Sequence, residues 1–129
     1  MIAPKLASLG SILLALVCAG CARQVSFKSD VDPILKASCL SCHAHGGEGY
    51  AASGFSVENY QSLMKGTRYG PVIDPGSSIN STLSRLIKHE ADPSIAMPKS
   101  HRPGMPSEFL QPKQIEIIEK WINQGAKDN

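Results

Sequence analysis

The sequence has little material for a hydrophobic core. Its 129 residues include three Phe, three Tyr and one Trp, against 11 Gly and 9 Pro. A domain of this size buries only a modest fraction of its surface, and a shortage of large side chains reduces the apolar area further. We therefore expect something other than side chains to complete the core.

The sequence also lacks long runs of like charge. Its 13 basic and 11 acidic side chains are interspersed, whereas nucleic-acid-binding tails carry blocks of one sign. No nucleic-acid partner is expected. The near balance of charge also argues against strong electrostatic steering of a partner.

No segment alternates apolar and polar residues as a strand would, and no internal repeat is visible. Helical spacing of apolar residues predicts helices over residues 29–37, 57–65 and 79–88, and a closing helix from Pro112 to a cap at Gly125. In the third helix, the apolar residues expected on one face are Ile79, Leu83, Leu86 and Ile87. The glycine-rich residues 46–54 and the proline-rich residues 93–106 are expected to be loops. The predicted fold class is all-α.

The first twenty residues are typical of an export signal. A basic start ending at Lys5 precedes an apolar run over residues 6–19, which is shorter than the ~20 residues that a membrane-spanning helix needs. Cys21 follows Ala19-Gly20, which resembles a bacterial lipoprotein signal, although Cys18 departs from that pattern. An uncleaved anchor and ordinary cleavage after Ala22 are the alternatives.

These observations predict a signal peptide over residues 1–20, a short tether over 21–28 and one domain over 29–129. Lipidation of Cys21 would attach the domain to a membrane. The expected location is the periplasmic or cell-surface side of a bacterial membrane.

The clearest chemical signature is the pentapeptide from Cys39 to His43, Cys-Leu-Ser-Cys-His. Cys-x-x-Cys-His is the attachment sequence of haem c. Cys39 and Cys42 lie one helical turn apart and can reach the two vinyl groups at one porphyrin edge, while His43 can ligate the iron. A zinc site would need about four ligands, and a thioredoxin-like pair would need alternating strands and helices. We predict one covalently bound haem c.

Beyond the pentapeptide, the sequence resembles the single-haem class I cytochromes c, and in particular the short planctomycete-type cytochrome c domain. The similarity runs from Phe27 to Ala126. Its landmarks, in order, are Asp30-Val31-Asp32-Pro33-Ile34-Leu35, the pentapeptide, Gly70-Pro71-Val72-Ile73-Asp74-Pro75-Gly76, Met97-Pro98, and the stretch from Ile115 to Trp121-Ile122-Asn123-Gln124-Gly125-Ala126. The resemblance implies a compact class I fold around the haem, in which the first and last helices cross.

The resemblance also implies a methionine as the second axial iron ligand. Met97 stands where this family places its Met-Pro, so it is the expected ligand. Met105 begins a second Met-Pro and is the alternative, with His101 as a weaker candidate.

An iron with two protein ligands has no open position for a substrate. We therefore predict an electron carrier, not an enzyme, which exchanges electrons with redox proteins or serves as a subunit of a larger oxidoreductase. The alternative is a catalytic subunit or a gas or redox sensor whose sixth ligand is labile.

Overall fold

The computed structural model describes residues 23–99 and 109–129. In this part of the chain the regular structure is helical: a π-helical turn over Phe27–Val31, followed by α1 (Asp32–Ser38), α2 (Glu48–Ser53), α3 (Tyr60–Lys65), α4 (Thr82–Ile87) and α5 (Pro112–Asn123). These residues form no strand, only an isolated bridge between Thr67 and Gly70. None of the described helices has the length and apolar character needed to cross a bilayer.

The first predicted helix is present but begins earlier than expected. The Ser26 hydroxyl accepts a hydrogen bond from the Ser29 amide at 3.3 Å and so caps the π-helical turn. Pro33 lies in the first turn of α1, where a missing N–H costs little. The turn and α1 together cover residues 27–38 and lead directly into the pentapeptide.

The closing helix α5 agrees with the prediction. Pro112 occupies its first turn, and the Gln111 and Gln114 side chains each bond the backbone N–H of the other. Gly125 follows the helix with a φ of 99°, a left-handed conformation that glycine adopts without strain. Local signals at both ends therefore set the limits of α5.

Two of the predicted helices start three residues late. α3 begins at Tyr60, because Asn59 and Ser62 cap it reciprocally. α4 begins at Thr82, so the prediction that Ile79 belongs to the apolar face of this helix is wrong, and its side chain is 81% exposed.

The prediction of a loop over residues 46–54 is also wrong. Glu48–Ser53 form α2, which ends at Gly54 in a left-handed conformation with a φ of 76°. The Ser53 hydroxyl donates to the Gly49 carbonyl at 2.7 Å. Further support for this short helix comes from its contacts with the pentapeptide, described below.

The core joins the two ends of the described chain. The buried Trp121 of α5 has its ring centroid 5.5 Å from that of Phe27 in the π-helical turn, and Tyr60 meets Phe27 edge-on at 5.2 Å. α5 also packs against α4. The expected contact between the first helical segment and the last helix is thus made through Phe27.

Candidate functional site

The pentapeptide forms a tight turn that continues from α1. The Cys39 amide donates to the Leu35 carbonyl at 2.8 Å, and the Cys39 carbonyl accepts from the amides of Cys42, at 3.2 Å, and His43, at 2.9 Å. These turn hydrogen bonds set the spacing of Cys39 and Cys42. Both are half-buried, while Ser41 between them is exposed.

One cavity of about 470 Å³ brings together four of the predicted site residues: Cys39, Cys42, His43 and Met97. Its volume falls within the range of cofactor sites, roughly 300–1,000 Å³. Its other lining residues are Ser38, Glu48, Gly49, Ala52, Ser53, Pro98 and Lys99. The rival candidates Met105 and His101 lie outside the described residues, as does Cys21.

His43 is buried, and its ring is held by the segment that follows α2. Its Nδ1 atom lies 3.3 Å from the Phe55 carbonyl oxygen, and the Phe55 ring meets it edge-on at 5.2 Å. A carbonyl can only accept, so Nδ1 carries the proton and Nε2 keeps its lone pair for a metal. Burial lowers the pKa of His43, although the bond to Phe55 opposes this shift. The neutral, ligating form of the imidazole is therefore favoured.

The thiol of Cys39 has a raised pKa. Burial, with a smaller contribution from the nearby Cys42, raises the pKa of Cys39 to about 11. The described residues contain no group of three or more His, Cys, Asp or Glu side chains suited to a metal ion. The zinc alternative thus gains no support from this part of the chain.

Met97 reaches the cavity from the segment after α4. Its amide donates to the Leu86 carbonyl at 3.1 Å, which ties it to the last turn of that helix. Its neighbours Ala96 and Pro98 are buried, and Met97 itself is half-buried. Burial on both sides and this hydrogen bond hold the thioether at the cavity that His43 also lines.

The sequence analysis missed several residues of the site. Glu48 and Lys99 bring opposite charges to the cavity, and Glu48 Oε1 lies 3.8 Å from Cys42 Sγ. Phe55 supplies the carbonyl that orients His43. The glycines at positions 47 and 49 could have indicated this part of the site, because a glycine often marks a close approach of the backbone to another group.

The donor set fits a haem of the c type. Two cysteines, a methionine and a buried histidine whose Nδ1 atom is engaged by Phe55 line the same cavity. These are the groups that would hold a porphyrin by two thioether bonds and its iron by nitrogen and sulfur. The apolar atoms of such a group would also add to a core that has few large side chains.

Comparison with known proteins agrees with this chemistry. A family model described as "Planctomycete cytochrome C" matches residues 39–101, a stretch that begins at the first cysteine of the pentapeptide and includes Met97. No curated protein and no solved structure matches the chain. Cytochrome c domains bind haem and take part in electron transfer. Residues 39–101 are therefore similar to the planctomycete-type cytochrome c domain.

Proposed function

We propose that this protein is a single-haem electron carrier of the class I type, exported and held at a membrane by a lipid on Cys21. The observation that carries the proposal is the convergence of Cys39, Cys42, His43 and Met97 on one cavity. Haem supplies a one-electron iron couple when it is bound. The protein's donor would lose one electron to it, and the acceptor would later take that electron.

Each residue has a distinct part in this proposal. Cys39 and Cys42 would hold the cofactor by thioether bonds, which would keep it in place in both oxidation states. His43 and Met97 would hold the iron of a bound haem, and a substrate would then have no free position on it. Ligation by a thioether favours ferrous iron and raises the reduction potential. The partners would be redox proteins, or the other subunits of a larger oxidoreductase.

Covalent attachment is tested first. The reduced, denatured protein in alkaline pyridine should keep its haem and give the spectrum of saturated vinyl groups. The double variant Cys39→Ala, Cys42→Ala should lose stable haem, because His43 alone offers a single coordinate bond. Ser41→Ala is the matched control, since it changes the same turn and keeps both sulfurs. Haem that extracts from the native protein into acidified acetone would contradict the proposal.

The oxidised visible spectrum separates the carrier from the catalytic or sensing alternative. A low-spin spectrum with a weak band near the red end indicates sulfur ligation and supports an electron carrier. A high-spin spectrum indicates an open sixth position and supports the alternative. Among the described residues, Glu48 is the carboxylate that lines the cavity, and it would be the candidate acid–base group in that case.

A further inference from the structure

The segment after the pentapeptide wraps around His43. The Tyr50 amide in α2 donates to the Cys42 carbonyl at 3.0 Å, and the Val57 amide donates to the His43 carbonyl at 2.9 Å. The Phe55 carbonyl accepts from His43 Nδ1 at 3.3 Å. Three bonds from one stretch of backbone therefore fix the main chain and the ring of this histidine.

Two glycines allow this close approach. A Cβ atom at position 47 would lie 2.4 Å from the Cys42 carbonyl oxygen. A Cβ atom at position 49 would lie 2.7 Å from His43 Cε1 and 3.0 Å from His43 Nδ1. Real Cβ atoms do not approach other atoms to 2.7 Å, so the ring or the helix would have to move.

Conformation does not explain the glycine at position 49. It lies inside α2, and its φ is not in the left-handed region. Alanine is preferred over glycine within a helix, because glycine loses more conformational entropy on folding. The crowding that excludes a side chain here comes from the preceding turn: His43 Cε1 would lie 2.7 Å from the added Cβ atom, closer than the Cys42 carbonyl oxygen at 3.0 Å.

We propose that Gly49 is a positioning residue for the axial histidine. Its backbone packs against Cε1, the carbon bonded to both ring nitrogens, while Phe55 engages Nδ1 on the same edge. Gly49 and Phe55 together set the rotation of the imidazole about its Cβ–Cγ bond. Groups that orient a metal-binding histidine also tune the metal. This inference rests on the proposed function, because it assigns a role toward haem iron.

The test is Gly49→Ala in the haem-loaded protein, with Ala51→Ser as the matched control. Each substitution adds one heavy atom to α2, but Ala51 is exposed and lies outside the cavity lining. Gly49→Ala should change the pattern of haem-methyl shifts in the proton NMR spectrum of the ferric protein, which follows the plane of the axial imidazole. It should also shift the reduction potential. Ala51→Ser should retain both wild-type properties.

Wild-type shifts and potential in Gly49→Ala would overturn the inference, even if that variant were less stable, because the role would then be packing alone. If Gly49→Ala yields no haem protein, the contact between Gly49 and His43 is measured in the ferrous wild-type protein instead. A nuclear Overhauser cross-peak between a Gly49 Hα and the Hε1 of His43 is expected, and its absence would refute the contact. A wild type without covalent haem would instead refute the proposed function.

Discussion

At the scale of single residues, the chemistry depends on neighbours outside the pentapeptide. Burial lowers the pKa of His43, which favours its neutral form, and the Phe55 carbonyl selects the tautomer that leaves Nε2 for a metal. Glu48 and Lys99 add charge at the same cavity. Each of these contributions can be measured separately.

Replacing Met97 by Ala should lower the reduction potential and remove the sulfur-to-iron band from the ferric spectrum. The reason is that Met97 lines the cavity beside His43, held there by its bond to Leu86. Met105→Ala is the matched control and should leave both properties unchanged. The opposite pattern would assign the axial position to Met105.

Removing the charges in the cavity should shift the potential in opposite directions. The ferric form carries one more positive charge than the ferrous form, so Glu48 stabilises the ferric state and Lys99 the ferrous state. Glu48→Gln should raise the potential and Lys99→Gln should lower it. Both side chains are exposed, and an energy of about 0.2–1 kcal/mol for an exposed charge corresponds to roughly 10–40 mV for a one-electron couple.

The controls for this experiment are Glu116→Gln and Lys113→Gln. These side chains pair with each other at 3.0 Å on the exposed face of α5, and neither lines the cavity. Protein-film voltammetry should show smaller shifts in reduction potential for the two control variants than for the two cavity variants. Equal shifts for the cavity and control variants would contradict a local effect.

At the scale of secondary-structure elements, an aromatic cluster joins α5 to the π-helical turn and α3. The indole N–H of Trp121 donates to the Lys127 carbonyl at 2.9 Å, and the Tyr60 hydroxyl donates to the Ala126 carbonyl at 2.8 Å. Both bonds hold the chain after α5 against the core. Trp121 also contacts Phe27, so it links the first and last helical segments.

Trp121→Ala should reduce the free energy of unfolding by about 3–5 kcal/mol, the usual cost of truncating a buried large aromatic side chain. Trp121→Phe should cost less, because it keeps most of the apolar contact and loses the bond to Lys127. Tyr69→Ala is the control: this side chain is 86% exposed, and surface substitutions usually change stability by less than about 0.5 kcal/mol. Guanidinium unfolding of the haem-loaded variants measures these differences. Similar losses of unfolding free energy for Trp121→Ala and Tyr69→Ala would contradict the role of Trp121 in joining the two helical segments.

At the scale of the whole molecule, the start of the described chain is fixed against its end. The Ser26 hydroxyl and the Lys28 amide both donate to the Asn129 carbonyl, at 2.8 Å and 3.1 Å, and the Phe27 amide donates to the Asn129 side chain at 2.9 Å. Val25 is buried, and its amide bonds Gln124 at 2.7 Å. The packed structure therefore includes residues that the sequence analysis assigned to the tether over 21–28.

This packing leaves a short connection to the proposed lipid on Cys21, so the domain should stay close to the membrane. Intact-mass measurement should find a lipid-modified Cys21 as the first residue. Two or more acyl chains hold a soluble domain firmly, and Cys21→Ser should therefore release the protein from membranes, while Cys18→Ser should not. An unmodified protein that begins at Ala22 or later would contradict the tether.

Some features follow from local sequence alone. Cys39, Cys42 and His43 lie three and four positions apart in sequence. A single turn of the chain is therefore enough to bring them together. Pro112 and Gly125 likewise define α5 through caps that need only neighbouring residues. These features could be predicted because their causes lie within a few positions along the chain.

Other features depended on distant contacts. Residues 46–54 contain glycines that favour a loop, yet α2 forms where its backbone can bond the Cys42 carbonyl. Helical spacing placed Ile79 on the apolar face of a helix, but α4 starts only at Thr82. Phe55 and Gly49 meet His43 because the chain folds back on itself after the pentapeptide. No spacing rule in the sequence connects residues that meet in this way, so these contacts could not be predicted.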